Sequence, residues 1–357
     1  MKIKSAFKEY SVDFCRDLSL LQDLAAAKDT FFVLDRTVYE IYKDRLPDLP
    51  KDRFFLLEAV EEKKDMAAML AICERMTEMS AKRNSHLVSL GGGITQDVTG
   101  FVATALYRGI RWTFFPTTLL AACDSCIGGK SSLNYKGFKN LLGSFYPPDE
   151  IFIYPEFFRS LSPRDYCSGL GEVVKFNVIA GAAGIDGMER DMEAILAHDY
   201  EKLLQYVRTS LDFKRGFIEE DEFDRGKRVL LNYAHTFGHA FESVSSYEIP
   251  HGSAVALGMM TANAVSVKRG FIEEAYAARI AALCMKILAH IPWREEWFAP
   301  AGIIAAIHKD KKQTSERITA VLLNEAHELS VYRDVEEEEI RQALACLLRY
   351  WRNHRGK

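Results

Sequence analysis

Three of the nine histidines lie close together, in the stretch NYAHTFGHAFESVSSYEIPHGSA. His235 and His239 are four residues apart, which puts both imidazoles on one face of a helix, and His251 follows twelve residues later. Neutral imidazoles are typical ligands of zinc and similar borderline metals, and a catalytic metal usually takes three protein ligands. A satisfied core residue or a group on a helix surface is the alternative for any single histidine. The cluster favours a metal site.

A carboxylate from another segment could complete this ligand set. Glu172 stands in GLGEVVKF, an otherwise apolar helical stretch, where an unpaired charge is costly unless it meets a cation. A bound metal would be such a cation. Lys175 follows three residues later on the same helical face, within reach of whatever Glu172 holds.

A glycine-rich junction in the N-terminal half is typical of a phosphate-binding turn. The apolar run ending at Leu90 is followed by GGGITQDVTGF, which predicts strand, glycine turn and helix. Because the spacing differs from GxGxxG, a purely structural tight turn is the alternative. Asp35, after the apolar run FFVL, could accept a hydrogen bond from a ribose hydroxyl or could cap the next helix.

Other polar residues have the chemistry to bind a phosphate or a carboxylate. Lysine and arginine side chains that converge on one site would do so through charge-assisted hydrogen bonds. Solvated surface charge is the alternative, and it has most weight for the two residues of the charged segment KRGFIEEDEFDRGKR, Lys214 and Arg228. The candidates are Asp124, Lys130, Lys139, Asn140, Lys214, Arg228 and Asn232.

Composition excludes several classes of protein. The chain of 357 residues has a net charge of -4 and no basic cluster interleaved with aromatic residues, which argues against nucleic-acid binding. It contains no run of eighteen apolar residues and its N-terminus has no signal-like segment, so we expect a cytoplasmic protein with no membrane partner. Seven scattered cysteines fit reduced thiols, and the Cys123–Cys126 pair fits small buried residues better than a metal or redox pair.

The elements that must position these residues change character along the chain. Residues 1–160 alternate short apolar runs with amphipathic stretches, which predicts buried parallel strands and crossover helices in an α/β nucleotide-binding domain. Residues 161–357 have a three-to-four periodicity, which predicts a mainly α-helical domain. Prolines concentrate around the boundary, and a cleft between the halves would suit a ligand.

The motifs together resemble the 3-dehydroquinate synthases, a family of sugar-phosphate cyclases. Their order and spacing match over about residues 30 to 330, and several long motifs in register are far more specific than one glycine loop. The matching segments are GGGITQDVTGF, YRG, PTTLLAACDSCIGGKSSLN, KNLLGSF, SGLGEVVK, DEFDRGKR, LNYAHTFGHAFE, HGSAVALGM and DKK.

The resemblance implies a homodimer and a role for each matched residue. It gives Glu172, His235 and His251 as ligands of zinc or cobalt, with His239 contacting substrate or supporting the site. Implied NAD contacts are Glu61, Lys64, Gly92, Gly93, Ile94, Thr95, Gln96, Asp97, Thr117, Thr118, Lys130, Lys139, Phe157, Phe158, Arg159 and Ser160. Implied substrate contacts are Asp124, Lys130, Asn140, Lys175, Lys214, Arg228, Asn232 and His239, with Lys311 or Lys312, and with Arg108 reaching across the dimer.

The implied reaction converts 3-deoxy-arabino-heptulosonate 7-phosphate into 3-dehydroquinate and phosphate by oxidation, elimination, reduction and an aldol step. The chain departs from the usual family pattern at four places: Ala234, Ser253, Ser131 and the segment VEEKK. These departures leave open a sister cyclase that acts on a different sedoheptulose, hexose or amino sugar phosphate. A metal-dependent polyol dehydrogenase of the same fold and a catalytically silent relative are further alternatives, and the intact ligand set argues against the silent relative.

Overall fold

The computed structural model describes residues 1–310, 313 and 317–354, and the chain forms two compact units. The first unit comprises Met1–Leu161 together with Arg215–Phe223. The second comprises Ser162–Lys214 and the residues from Asp224 onward. No helix in the described ranges is both long enough and apolar enough to cross a membrane.

The first unit is built on a seven-stranded sheet in the order β1-β2-β9-β6-β5-β3-β4, parallel except for the edge strand β1. Its central strands are almost wholly buried, as continuous apolar runs predict for a parallel sheet covered on both faces. The strands are β1 Lys2–Lys4, β2 Glu9–Phe14, β3 Thr30–Asp35, β4 Phe54–Leu57, β5 His86–Gly91, β6 Arg111–Pro116 and β9 Glu150–Ile153.

The strand order predicts a ligand-binding crevice beside β3 and β5. From β3 the chain moves outward to β4, and it then returns to place β5 on the other side of β3. In open parallel sheets such a reversal leaves a crevice at the carboxyl ends of the two strands. Asp35 ends β3 and Gly91 ends β5, so the predicted glycine turn lies at this crevice.

The helices of the first unit connect successive strands of the sheet. One face of the sheet packs Phe32, Leu34, Val88 and Leu90 against Phe157, which lies in the 3-10 helix Pro155–Ser160. The helices are α1 Ser19–Ala26, α2 Arg36–Tyr42, α3 Met66–Glu78 and α4 Gly93–Ala105.

An antiparallel hairpin in the first unit was not predicted. Its strands, β7 Lys130–Tyr135 and β8 Phe138–Phe145, occupy a stretch whose sequence indicates a glycine-rich loop. Gly128 and Gly129 adopt positive φ angles of 96° and 65° and form the turn that leads into β7. The two glycines therefore form only the turn before β7, and the residues after them form a strand.

The second unit is mainly helical and is organised around α9, which packs against α5, α8, α10 and α12. The described helices are α5 Pro163–Ile179, α6 Ala182–Leu196, α7 Tyr200–Glu220, α8 His235–Val244, α9 His251–Lys268, α10 Glu274–Ile287, α11 Pro300–Lys309 and α12 Glu337–His354. Helix α7 ends in the first unit. A hairpin of β10 Ile318–Leu323 and β11 Leu329–Val335 also lies here. The predicted combination of an α/β domain and a mainly helical domain is confirmed.

Candidate functional site

Helix α5 holds Glu172 in the interior of the second unit. The helix begins where the Ser162 hydroxyl accepts a hydrogen bond from the Asp165 amide at 3.1 Å, and Pro163 stands at its first position. Every residue from Tyr166 to Val178 is buried, so all sides of this part of the helix face the protein interior. Glu172 is consequently fully buried, as the apolar context of its sequence indicates.

The two other predicted ligands are the first residues of their helices. His235 begins α8 directly after Ala234, whose φ of 70° lies in the left-handed region that a glycine adopts at less cost. His251 begins α9 directly after Pro250. The Cα–Cβ bonds of a helix tilt toward its N-terminus, so the side chain of a first residue extends beyond the start of its helix. Both imidazoles can therefore reach the same point beside α5.

The structure brings these three side chains together. His235 Nε2 lies 3.5 Å from Glu172 Oε1, and His251 Nε2 lies 3.3 Å from the same oxygen. One ligand atom from each residue lies within 4.8 Å of the others, as required for one shared cation. Neither carboxylate oxygen of Glu172 has a well-oriented hydrogen bond within the described part of the chain. A fully buried carboxylate without such bonds fits a site that a metal completes.

Electrostatics at this cluster keep Glu172 ionised. Burial raises the pKa of its carboxyl, but the Lys175 ammonium and His251 oppose this effect and hold the pKa at about 2. Burial, with repulsion from Lys175 and the other imidazoles, lowers the pKa of His235 well below its usual value. His235 is therefore neutral and has a lone pair for a metal.

Lys175 lies where its spacing from Glu172 predicts. Its Nζ is 2.6 Å from Glu172 Oε2 and 3.4 Å from the carbonyl oxygen of Leu231, and its side chain is only 2% exposed. The ammonium also lies 4.4 Å from the centre of the Phe176 ring. A buried ammonium held this way is fixed in position beside the cluster.

Two further cations of the second unit are buried. Lys214, on α7, is 7% exposed, and Arg228, in the 3-10 turn Lys227–Asn232, is 4% exposed. Solvated surface charge is therefore excluded for both side chains. Asn232 is half-buried at the end of the same turn and donates to the carbonyl oxygen of Val229 at 2.9 Å.

His239 is one turn after His235 on α8, and their ring centres are 5.4 Å apart. Its Nδ1 lies 3.1 Å from Asp310 Oδ2, at the end of α11. The sequence did not single out Asp310, although it is the first residue of the DKK motif. Lys311 and Lys312 lie outside the described residues.

In the first unit the glycine turn has the geometry of an anion site. Helix α4 begins at Gly93, and its N-cap residue, Gly92, supplies no side-chain cap, so the first amides of the helix remain available to an anion. A Cβ added to Gly92 would lie 2.9 Å from the Thr118 methyl group, so only glycine fits there without displacement. This geometry fits the pyrophosphate of a dinucleotide.

The predicted residues Glu61, Lys64, Asp97 and Asn140 form one polar cluster. The buried Lys64 ammonium donates to Asp97 Oδ2 at 3.0 Å and to Asn140 Oδ1 at 2.6 Å. Burial raises the pKa of Asp97 despite the opposing effect of Lys64. The family resemblance implies that Asn140 contacts the substrate and that Glu61, Lys64 and Asp97 contact NAD. All four residues belong to this one cluster.

Sequence reasoning missed two members of this cluster, both on β7. Ser132 donates to Asp97 Oδ1 and Oδ2 through its amide and hydroxyl, at 3.1 and 3.2 Å. Asn134 donates to Glu61 Oε1 at 2.9 Å. Their alternation along KSSLNY is a strand signal that could have identified them.

Other implied NAD residues surround the start of α4. Gln96 donates from Nε2 to the carbonyl oxygen of Ser125 at 2.6 Å, and the Thr117 amide donates to the carbonyl oxygen of Gly91 at 2.9 Å. Thr95 and Thr117 are buried, and Ile94 and Thr118 are half-buried. Asp124 lies nearby in sequence, in the π-helical turn Ala121–Ser125.

The remaining implied contacts differ in exposure. Lys130, Lys139, Arg108 and Arg159 are exposed, as is Ser160. Phe157 and Phe158 are fully buried, and the Phe157 ring packs edge-on against Tyr42 with ring centres 5.0 Å apart. These two rings belong to the core, so any cofactor contact of this segment falls to its backbone or to Arg159 and Ser160.

Two alternatives from the sequence are decided by the structure. Asp35 caps α2, because its Oδ1 accepts hydrogen bonds from the amides of Thr37 at 2.8 Å and Val38 at 3.5 Å. Cys123 and Cys126 are both buried, and neither forms a disulfide. Neither cysteine belongs to a metal-binding group among the described residues.

Comparison with known protein sequences matches most of the chain. A sequence profile described as 3-dehydroquinate synthase N-terminal matches residues 54–168, and one described as 3-dehydroquinate synthase C-terminal matches residues 169–313. The 3-dehydroquinate synthase of Clostridium tetani is 36% identical over 346 residues, which are 96% of this chain and 89% of that protein. The Campylobacter concisus protein of the same name is 31% identical over 96% of this chain and 99% of its own length.

Solved structures of two cyclases and one dehydrogenase have a similar fold. A 2-epi-5-epi-valiolone synthase from Streptomyces hygroscopicus, with NAD+ and Zn2+ bound, superposes with a TM-score of 0.85 at 25% identity, covering 97% of this chain and 99% of that chain. A 2-deoxy-scyllo-inosose synthase, complexed with carbaglucose-6-phosphate, NAD+ and Co2+, gives 0.82 at 24% identity, covering 96% and 98%. A probable glycerol dehydrogenase from Sinorhizobium meliloti gives 0.60 at 15% identity, covering 98% and 99%.

Proposed function

Since this chain belongs to the 3-dehydroquinate synthase family, we propose that it converts 3-deoxy-arabino-heptulosonate 7-phosphate into 3-dehydroquinate and inorganic phosphate. Such an enzyme is a phosphorus-oxygen lyase. The observation that carries the proposal is the meeting of Glu172, His235 and His251 in a buried cluster. The reaction would serve the shikimate pathway of aromatic amino acid biosynthesis.

The cluster would hold one divalent metal, zinc or cobalt, through one carboxylate oxygen and two imidazole nitrogens. The site at the start of α4 would hold NAD, with the cluster around Lys64 and Asp97 beside it. A bound metal would supply polarisation of substrate oxygens, and bound NAD would supply reversible hydride transfer without net oxidation.

The protein's own side chains would bind and orient the substrate. Lys214 and Arg228 are buried cations, and buried cations form strong charge-assisted hydrogen bonds to a carboxylate or a phosphate. Lys175 is fixed beside the cluster by Glu172 and the Leu231 carbonyl, so its ammonium would hold a substrate oxygen in one place. Fixing a flexible sugar phosphate in this way lowers the entropic part of the barrier.

His239 is suited to move a proton. Asp310 accepts a hydrogen bond at its Nδ1, which leaves Nε2 as the nitrogen that can take or give a proton. The carboxylate fixes the orientation of the imidazole as well as its tautomer. His239 would therefore act on a substrate hydroxyl rather than bind the metal.

The decisive experiment measures both products. Pure protein is incubated with Zn2+ or Co2+, NAD and the heptulosonate phosphate, and released phosphate and cyclic product are quantified. We expect one phosphate per cyclic product with no accumulation of NADH. Release of phosphate only from another sugar phosphate would assign a sister cyclase, as the similarity to the valiolone synthase allows. Stoichiometric NADH from a simple polyol would assign a dehydrogenase.

Location and assembly complete the proposal. None of the seven cysteines forms a disulfide, which suits the reducing cytoplasm. We further propose a homodimer in which the exposed Arg108 reaches the partner's substrate. Sedimentation equilibrium of the wild type tests the dimer. Mixing Arg108→Ala with an inactive His235→Ala protein should restore part of the activity if one subunit supplies Arg108 to the other.

A further inference from the structure

Glu242 lies on the same face of α8 as His235 and His239, seven and three residues after them. Its carboxylate is only 15% exposed. Both of its oxygens lie 3.4 Å from Nδ1 of His251. The third predicted metal ligand is thus flanked by two carboxylates, because its Nε2 faces Glu172 Oε1 at 3.3 Å.

A neutral imidazole has one N–H group and one lone pair, so the partner of one nitrogen decides what the other nitrogen can do. His235 illustrates this rule in the same site. Its Nδ1 lies 3.0 Å from the carbonyl oxygen of Tyr233, which can only accept, so Nδ1 carries the proton. Its Nε2 then directs a lone pair toward Glu172.

His251 has the same arrangement, with Glu242 in place of the backbone carbonyl. When His251 is neutral, a carboxylate that accepts from Nδ1–H leaves the Nε2 lone pair directed at the Glu172 cluster, and it also fixes the ring orientation and makes Nε2 more basic. A short stretch of α8 therefore contributes both a ligand, His235, and the acceptor for the other histidine ligand.

A second arrangement competes with this one. Ligand atoms of His239, Glu242 and His251 also lie within 4.8 Å of one another and could hold a cation. However, His239 Nδ1 is already bonded to Asp310, and the Glu242 carboxylate is partly exposed. Glu172 is fully buried, and although Lys175 pairs with its Oε2, its Oε1 faces the two histidines without a well-oriented hydrogen bond in the described ranges. A cation at Oε1 therefore offsets a larger burial cost than a cation at Glu242.

We propose that Glu242 is a positioning residue that orients His251 for metal binding at the cluster of Glu172, His235 and His251. The inference rests on the proposed function, since it requires a metal at that cluster. It adds a residue that acts through His251 and does not touch the metal.

The test titrates metal-free protein with Co2+ and Zn2+ and follows the visible absorption of bound Co2+ and the heat of Zn2+ binding. Glu242→Gln should bind Zn2+ about 10- to 100-fold more weakly, as for other carboxylates that hold a metal-bound histidine. It should also change the Co2+ spectrum while the denaturant midpoint of the metal-free protein stays the same. Glu242→Asp, which keeps the charge on a shorter side chain, should recover part of the affinity.

Matched variants separate the outcomes. Glu274→Gln removes an equal charge from an exposed position of the second unit and should bind Zn2+ like the wild type. His239→Ala should also retain Zn2+ affinity. A loss of affinity in that variant would place the metal at the group of His239, Glu242 and His251 and would overturn the inference. If Glu242→Gln loses Zn2+ affinity as completely as His251→Ala does, and Glu242→Asp recovers none of that affinity, Glu242 is itself a ligand and the inference is overturned.

Failure of the inference and failure of the proposed function give different results. If His235→Ala loses the metal and Glu242→Gln binds it normally, only the role of Glu242 is refuted. If His235→Ala binds Zn2+ as tightly as the wild type, the metal site itself is refuted.

Discussion

The backbone of Gly171 packs directly against the backbone of Gly252, and a Cβ on Gly171 would collide with the Gly252 carbonyl oxygen. A Cβ on Gly252 would collide in turn with the carbonyl oxygen of Ser168. These two glycines precede Glu172 and follow His251, so the contact that brings α5 and α9 together also sets the distance between two predicted metal ligands.

Gly252→Ala and Gly171→Ala should separate the ligands and weaken metal binding. Overpacking of a close backbone contact costs about 1–3 kcal/mol or more, so we expect a comparable fall in the free energy of unfolding and a loss of bound zinc. Denaturant titration and elemental analysis measure the two effects. Gly216→Ala is the control, because it lies exposed in α7 with no atom within 4 Å of an added Cβ. That variant should be as stable as the wild type or up to about 1 kcal/mol more stable.

Removal of a predicted metal ligand should abolish turnover. His235→Ala and His251→Ala should lower metal affinity by more than about 100-fold, since even a residue that only supports a ligand affects it by 10- to 100-fold. Glu172→Gln is preferred over Glu172→Ala, because it retains a polar partner for the buried Lys175. Circular dichroism should show that the fold survives. Full metal content in all three variants would contradict the assignment.

His86 should make the stability of the first unit depend on pH. Burial, with the nearby Arg111 charge, lowers its pKa from 6.5 to about 4, and its Nε2 lies 2.8 Å from Thr113 Oγ1. Between these pH values the unfolded chain binds a proton that the folded chain does not, so stability falls as the pH is lowered from 6.5 to 4. At about 1.36 kcal/mol per pKa unit, the loss reaches about 3 kcal/mol.

Amide hydrogen exchange in β5 and β6 measures this effect within the first unit. His86→Gln cannot take up the proton, so protection of these strands should fall less between pH 6.5 and pH 4 than in the wild type. Equal pH dependence in both proteins would show that His86 does not titrate as its burial indicates.

Asp35 should stabilise α2 without contributing to cofactor binding. Because its Oδ1 accepts from two amides at the helix start, Asp35→Ala should cost about 1 kcal/mol, and Asp35→Ser should cost less because serine also caps. Denaturant titration measures the cost, and calorimetric titration measures NAD affinity. An NAD dissociation constant that rises in both variants would instead support the ribose contact.

The sequence by itself determined the secondary structure that carries the site and the chemical types of its residues. Apolar runs mark β3 and β5, and the spacing of His235 and His239 marks a shared helical face, because both signals depend on local periodicity. The apolar surroundings of Glu172 likewise indicated burial. Resemblance to a family then gave the pairing of Glu172 with His235 and His251, which the spacing alone left open.

Only the tertiary structure decided which groups meet. That Asp310 reaches His239 and that Ser132 joins Asp97 depend on contacts between segments far apart in sequence. That Glu242 faces His251 depends on how α8 and α9 pack against each other. Charge in the sequence could not show that Lys214 and Arg228 are buried, since burial follows from packing among several elements. Local patterns fix the direction of a side chain within its own helix or strand, and long-range packing fixes what that side chain touches.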